Sequence, residues 1–134
     1  MPAFIPSGKF LSWFLIGLLL TQGWALITSA YFYIWWLDLL MHLAGGFWAG
    51  GLGVYLLRET PLSKFLFFLT VVSFAALVGV LWEFFEFMTD PLWSILGRET
   101  FFQAGLEDTL GDLLSDLVGG ALAAILFRKE EKKL

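Results

Sequence analysis

Glu107-Asp-Thr-Leu-Gly-Asp-Leu-Leu-Ser-Asp-Leu-Val-Gly-Gly-Ala-Leu-Ala-Ala-Ile-Leu-Phe127 is the stretch that decides the fold of this chain. It is long enough for a membrane-spanning helix, which needs about 20 residues. Its first half carries Asp108, Asp112 and Asp116, and a spacing of four residues puts all three on one side of an α-helix. Carboxylates inside a membrane are costly and almost always face a protein interior or a watery cavity. We therefore expect other helices to bring partners to these aspartates.

The composition of the chain indicates a polytopic membrane protein. Hydrophobic residues make up 59% of the 134 residues, and the mean hydropathy is +0.81, which excludes an ordinary soluble globular domain. The chain has no cysteine, which excludes a disulfide framework, a thiolate metal site and a cysteine nucleophile. The formal net charge of −4 argues against a nucleic-acid partner.

Four apolar runs predict an all-α fold, a four-transmembrane-helix bundle that forms a single membrane domain over residues 1–134. The helices are expected at about residues 10–31, 37–57, 65–88 and 108–127. Asp90-Pro91 is expected to end the third helix, and residues 91–106 are expected to form an interfacial connection. A cleavable signal peptide is the alternative interpretation of the first run, but its apolar stretch is longer than a usual signal core.

The basic residues predict the orientation of the bundle. Four spans put the two termini and the connection around residues 58–64 on the same side. Seven of the eight basic residues lie on that side: Lys9, Arg58, Lys64, Arg128, Lys129, Lys132 and Lys133. Because cytoplasmic loops carry an excess of Lys and Arg, both termini are predicted to be cytoplasmic in the cell membrane, with only Arg98 outside.

Polar residues on the second and third spans are expected to meet the aspartates of the fourth near the outer leaflet. Asp38 and His42 share one face of the second span, and Glu83 and Glu86 share one face of the third. In each of the three helices, small residues at helical spacing continue the polar stripe, as close helix packing in lipid requires. The polar residues therefore prolong the packing faces.

A divalent cation would relieve the repulsion among these carboxylates. The predicted ligands are His42, Asp38, Glu83, Asp108, Asp112 and Asp116, with Glu86 predicted as an unligated catalytic base. Carboxylates with one imidazole suit Mg, Mn, Zn, Ca or Fe, so the identity of the metal stays open. Two alternatives also stay open: protonated acids that act as hydrogen-bonded packing groups, and a di-iron site that a dimer would complete, because the chain has one histidine.

Three blocks carry a family resemblance: Asp38-Leu-Leu-Met-His42-Leu-Ala-Gly-Gly46, Leu81-Trp-Glu-Phe-Phe-Glu86 and the stretch from Glu107 to Gly120. They resemble the signature blocks of small YjdF-type integral membrane proteins and, more remotely, VanZ-like proteins, which are linked as a family with glycopeptide resistance. The resemblance implies the same topology and the same polar positions. It implies no reaction, and the glutamate-glutamine and arginine features usual in VanZ-like proteins are not evident.

Three functional hypotheses follow from the predicted site. The first is a metal-dependent hydrolase or transferase that acts on a lipid or lipid-linked headgroup, with membrane lipid as partner. The second is a proton- or cation-coupled transporter or channel subunit, which would need an oligomer because one four-helix chain is small for alternating access. The third is a metal-stapled structural or interaction protein. A homo-oligomer is left open by all three.

Overall fold

The structure is a computed structural model that describes residues 4–95, 97 and 105–127, with Trp93 described by its backbone alone. Its four α-helices are α1 (Gly8–Thr28), α2 (Leu37–Leu56), α3 (Lys64–Ile95) and α4 (Leu106–Leu126). A short 3₁₀ helix, Ala30–Phe32, connects α1 to α2. All four α-helices are long and apolar enough to cross a membrane, which confirms the predicted all-α fold with four spans.

The first helix lies two to three residues earlier in the chain than its apolar run predicted. It begins at Gly8 because the side chain of Ser7 caps it, accepting a hydrogen bond from the Phe10 N–H at 3.1 Å. It ends at Thr28 because Ser29 takes a left-handed conformation with φ 55°, and its N–H turns back to the carbonyls of Ala25 and Leu26. The aromatic residues that follow thus leave the axis of α1.

The third helix does not end at Asp90-Pro91 as the sequence predicted, but continues through the proline to Ile95. Proline removes one backbone donor, and the interruption is tolerated in membrane helices where Ser or Thr side chains bond to nearby carbonyls. Pro91 leaves the carbonyl of Phe87 without its helical donor, and the nearby Thr89 hydroxyl donates instead to the carbonyls of Phe85 and Glu86 at 2.9 and 3.2 Å. Of the interfacial connection predicted over residues 91–106, residues 96 and 98–104 lie outside the described residues.

The core of the bundle is the contact of α4 with α2 and α3, which leaves almost no space between the helix backbones. A Cβ atom added to Gly46 of α2 would collide with the backbone of Asp116 on α4. One turn later, a Cβ atom on Gly50 would lie 2.9 Å from the Cα atom of Gly120. The small residues predicted to prolong the polar stripes therefore form the helix contacts, as membrane packing requires.

The first helix packs against α2, and its backbone stays away from α3 and α4 throughout the described part of the chain. The Trp48 indole N–H of α2 donates to the Leu11 carbonyl of α1 at 2.9 Å, which fixes the two helices near one end. At the other end, the Tyr31 hydroxyl donates to the side-chain oxygen of Gln22. Between these two contacts, α1 and α3 are separated by a gap that opens onto α2.

The described basic residues and the acidic residues of the spans occupy opposite ends of the bundle. Lys9 and Lys64 lie in the first turns of α1 and α3, and Arg58 follows the end of α2. The remaining basic residues, Arg98 and the four of the C-terminal tail, lie outside the described residues. The cytoplasmic location of the termini stays a prediction from charge.

Candidate metal centre

Three helices bring the predicted polar residues together at one level of the bundle. The beginning of α2 supplies Asp38 and His42, the last third of α3 supplies Glu83 and Glu86, and the first half of α4 supplies the aspartates. Five of these side chains are between 1% and 7% exposed: His42, Glu83, Glu86, Asp112 and Asp116. Because α3 runs antiparallel to α2 and α4, its C-terminal third meets their N-terminal halves. The predicted convergence of these side chains is confirmed.

His42 stands at the centre of this cluster and contacts a carboxylate through each ring nitrogen. Its Nδ1 lies 3.1 Å from Oδ2 of Asp116, within hydrogen-bond distance. Its Nε2 lies 3.8 Å from Oε1 of Glu83 and 3.9 Å from Oδ2 of Asp112, which is too far for a hydrogen bond. An ionised carboxylate can only accept, so with Asp116 ionised Nδ1 would carry a proton and donate to it. Nε2, the other ring nitrogen, faces two further carboxylates.

Four buried polar atoms of the cluster have no hydrogen-bond partner among the residues that the structure describes. They are Nε2 of His42, Oε1 of Glu83, Oε2 of Glu86 and Oδ1 of Asp112. Leaving a buried polar atom unpaired costs about 1–3 kcal/mol, and more for a charged group. Such unpaired atoms occur where an ion or a water is bound, so this group of side chains could hold a metal ion.

The distances between these atoms are close to those between ligands of one ion. His42, Glu83 and Asp112 each offer a ligand atom, and the three atoms lie within 4.8 Å of one another. Two ligands bound at about 2.1 Å stand about 3.4 Å apart in a tetrahedral site, so the His42 separations of 3.8 and 3.9 Å would shorten by about 0.5 Å on binding. An ion between these three side chains would satisfy the imidazole and both carboxylates at once.

Two further groups of ligand atoms adjoin the first. Asp38 lies with His42 and Glu86 in one group, and with Asp108 and Asp112 in the other, again within 4.8 Å. The second of these groups is nearer the surface, because Asp38 and Asp108 are half-buried whereas Asp112 is fully buried. The cluster therefore extends from a closed interior toward the end of the bundle.

Glu86 is held differently from the other carboxylates. Its Oε1 accepts a hydrogen bond from the indole N–H of Trp82, one turn earlier on α3, at 2.8 Å. Its Oε2 is buried and without a partner among the described residues. Glu86 is thus fixed beside the His42, Glu83 and Asp112 group and itself belongs to the group formed with Asp38 and His42, so its predicted role as an unligated base stays a prediction.

A cavity of about 190 Å³ reaches the cluster from the gap between α1 and α3. Its walls are mostly apolar and include Leu15, Leu18 and Leu19 of α1 and Val78 and Trp82 of α3. Its polar lining comes from Gln22, Asp38, His42 and Asp116. An apolar cavity that ends at a few convergent polar groups is the usual form of a small-molecule site.

Tyr31 lies in the 3₁₀ helix between α1 and α2, and it contacts the wall of this cavity through Gln22. Burial, together with the nearby carboxylate of Asp38, raises the pKa of Tyr31 above its usual value. The phenol therefore stays protonated at neutral pH and donates to Gln22, which lines the cavity. The sequence did not predict this contact.

The structure gives the predicted site residues unequal positions. His42, Glu83, Asp112, Asp38 and Asp108 all belong to the candidate ligand groups. Asp116 instead lies behind the imidazole, on the ring nitrogen that faces away from Glu83 and Asp112. Sequence reasoning missed Trp82 as the partner of Glu86, although its spacing of four residues from Glu86 was a usable signal.

The comparison with known families agrees with this architecture. Residues 4–133 match the family described as "Predicted membrane protein (DUF2238)". The chain belongs to this DUF2238 family. No curated protein and no solved structure matches the chain. This DUF2238 chain is therefore an integral membrane protein with a buried cluster of histidine and carboxylates, and its function has to be argued from the cluster itself.

Proposed function

We propose that this chain binds a divalent cation between α2, α3 and α4, and that it is a metal-dependent hydrolase or transferase acting on a lipid or lipid-linked headgroup. The ligands of the cation are His42, Glu83 and Asp112. Asp116 orients the imidazole, and Glu86 is the base. The resemblance of the three sequence blocks supports the narrower proposal that the chain is a YjdF-type member of its family.

The observation that carries the proposal is the state of the His42 ring. Metal-binding histidines almost always donate their second ring N–H to a carboxylate or a carbonyl, which fixes the tautomer and makes the ligand nitrogen more basic. His42 has this arrangement, with Nδ1 on Asp116 and an unpartnered Nε2 directed at Glu83 and Asp112. Packing alone would leave Nε2 of His42 and Oε1 of Glu83 buried without a partner among the described residues, which is costly.

The chemistry that follows is the attack of water on an ester. A divalent cation held by His42, Glu83 and Asp112 would supply a lowered pKa for a coordinated water and polarisation of the phosphoryl or carbonyl oxygen. Glu86 would accept the proton of the attacking water through Oε2, while the Trp82 indole holds its other oxygen. As the water oxygen bonds to phosphorus or carbon, the ester bond to the leaving oxygen would break, and Glu86 would return the proton to that oxygen. In a transferase, an alcohol acceptor replaces the water.

The cavity supports a lipid as the substrate. Leu15, Leu18 and Leu19 on one wall and Val78 on the other offer only apolar contacts, which suit an alkyl chain. The polar end of the cavity is formed by Asp38, His42 and Asp116, so a headgroup joined to that chain would lie against His42, which is the proposed ligand that lines the cavity. The gap between α1 and α3 provides a lateral entry from the membrane.

The distribution of ionisable residues disfavours a transport pathway through the bundle. Residues 43–58, 60–82 and 117–129 contain no Asp, Glu or His, so no proton relay continues from the cluster to the opposite end. The cluster is therefore connected to one end of the bundle only. A site with one entrance suits catalysis or binding better than conduction.

The test combines metal content with lipid conversion. Purified protein would be reconstituted in vesicles of phosphatidylglycerol, phosphatidylethanolamine and a polyprenyl diphosphate, with either Mn²⁺ or a chelator present. Metal per chain would be measured by elemental analysis, and the lipids by mass spectrometry. We expect bound metal and a metal-dependent loss of one lipid, both absent in Glu83→Gln.

The control for this experiment is Glu59→Gln, the same chemical change at an exposed carboxylate outside the cluster, where Glu59 pairs with Arg58 at 3.6 Å. It should retain both metal and activity. Metal binding without conversion of any of the three lipids would overturn the enzyme and favour a metal-stapled structural protein. The absence of bound metal would overturn the whole proposal.

A further inference from the structure

We infer that the cluster is built for two divalent cations, which share Asp112 as a bridging ligand. One ion lies between His42, Glu83 and Asp112, as in the proposed function on which this inference rests. The second lies between Asp38, Asp108 and Asp112, closer to the end of the bundle. The proposed function needs only the first ion, so the two ideas can fail separately.

The geometry places two complete ligand sets side by side. Each set offers three ligand atoms within 4.8 Å of one another, and Asp112 belongs to both sets. A carboxylate has two oxygens and can place one on each of two ions. In two-metal sites the ions stand about 3.5–4 Å apart, a separation that a bridging carboxylate spans. Asp38, which also lies with His42 and Glu86, keeps the two sets adjacent.

The condition of Asp112 is the second observation that points to an ion on each side. Asp112 is only 1% exposed, and its Oδ1 is buried without a hydrogen-bond partner among the described residues. Its Oδ2 is the oxygen that faces Nε2 of His42 at 3.9 Å, so one ion at that point would satisfy Oδ2 and leave Oδ1 unpaired. A second ion satisfies the second oxygen.

Charge balance supports the same count. Six carboxylates lie in or against this cluster, with one imidazole among them. If all six are ionised, one divalent cation neutralises two of the negative charges and two cations neutralise four. The described lysines and arginine stand at the opposite end of the bundle. Buried charges need such pairing, because an isolated carboxylate in a low-dielectric interior is costly.

The second ion adds a defined function to the site. In two-metal hydrolases one ion holds the attacking water and the other stabilises the leaving oxygen of the substrate. The outer position between Asp38 and Asp108 is nearer to solvent, and Asp38 also lines the cavity. The outer ion would therefore be the one that meets the substrate and exchanges more readily.

The test counts Mn²⁺ ions and measures whether they are coupled. Protein in detergent would be saturated with Mn²⁺, freed of excess and examined by elemental analysis and low-temperature electron paramagnetic resonance. We expect two ions per chain with the spectrum of an exchange-coupled pair. Asp108→Asn removes one outer ligand at a half-buried position and should reduce the content to one ion with an uncoupled spectrum.

The matched control is Glu107→Gln, an exposed carboxylate next to Asp108 in the first turn of α4, which should keep two coupled ions. Circular dichroism and gel filtration would establish that both variants are folded. One ion per saturated wild-type chain, or two ions without coupling, overturns the shared site and leaves the proposed function intact. No bound ion overturns both.

Discussion

At the scale of single residues, the carboxylates of the cluster repel one another unless a cation lies between them. Glu83 and Asp112 both face Nε2 of His42, and Nε2 and the facing Oε1 of Glu83 have no hydrogen-bond partner among the described residues. If the proposed cation binds here, each carboxylate would favour metal binding and oppose the stability of the metal-free protein. This opposition would separate a functional site from a structural one.

Glu83→Gln should make the metal-free protein more stable while weakening metal binding. An amide of the same shape removes one buried negative charge, and relief of an unpaired charged group contributes about 1 kcal/mol or more. The measurement is thermal unfolding in detergent with and without Mn²⁺. Wild type should gain stability with the ion, about 2.7 kcal/mol at a free concentration 100 times the Kd, and Glu83→Gln should gain little. A variant less stable than wild type without metal would contradict the argument.

Asp116→Asn tests the residue that holds the imidazole. The asparagine oxygen can still accept the Nδ1–H of His42, so the ring stays in place, but the negative charge that makes Nε2 basic is lost. Changes of this kind cost about 10- to 100-fold in metal affinity. Titration calorimetry with Mn²⁺ or Zn²⁺ measures the metal affinity. Glu59→Gln is the control and should keep the affinity of the wild type. Complete loss of binding would instead make Asp116 a direct ligand, as the sequence predicted.

The sequence identified almost every residue of the cluster because carboxylates and a histidine within apolar helices are unusual and expensive. It could not separate Asp116 from Asp112, since both lie on the same face of α4 one turn apart. Their difference depends on which ring nitrogen of His42 each one meets, and that depends on how α2 and α4 are rotated against each other. Periodicity gives a face of a helix and does not give this rotation.

At the scale of helices, the site depends on backbone contacts that leave no room for side chains. A Cβ atom on Gly46 would collide with the backbone of Asp116, and one on Gly79 would collide with the side chain of Asp116. The two glycines thus allow α2 and α3 to approach α4 closely at Asp116, the residue proposed to orient His42. The third helix also shows where sequence rules failed, because Pro91 was expected to end it and lies inside it.

Gly46→Ala should separate α2 from α4 and damage the site. Overpacking of this kind costs about 1–3 kcal/mol, and here the obstacle is backbone, which cannot rotate away. Gly17→Ala on α1 is the matched control, because an added Cβ atom there has nothing within 4 Å. The midpoint temperature of thermal unfolding and the Mn²⁺ affinity should both fall for Gly46→Ala. Both should stay unchanged or rise for Gly17→Ala. Equal behaviour of the two variants would refute the close contact.

At the scale of the whole molecule, the bundle is polarised, with the acidic cluster at one end and the described basic residues at the other. At the basic end, aromatic rings close the bundle, with Phe127 packed against Phe10 and Phe47 at 6.3 and 5.3 Å between ring centroids. No Asp, Glu or His in residues 43–58, 60–82 or 117–129 links this end to the cluster. Substrate and ion should therefore reach the site from the acidic end or from the lipid.

The orientation can be measured because the chain has no cysteine of its own. Glu59→Cys and Tyr33→Cys each place a single thiol on an exposed connection, at the basic and acidic ends respectively. In intact cells, a membrane-impermeant maleimide should label Tyr33→Cys and label Glu59→Cys only after lysis. The reversed pattern would place the cluster on the cytoplasmic side and contradict the prediction from charge.

The contact of α2 with α4 through Gly46 and Gly50 has a consequence for which ions the protein accepts. Helices that touch backbone to backbone cannot slide or swell as helices separated by flexible side chains can. The distance between His42 on one helix and Asp112 on the other is therefore fixed, as ligand atoms are fixed in a rigid chelator. Such a chelator cannot move to add ligands, so ions that accept an imidazole and few carboxylates at about 2.1 Å should be preferred over Ca²⁺, which needs about six to eight oxygen ligands at about 2.3–2.6 Å.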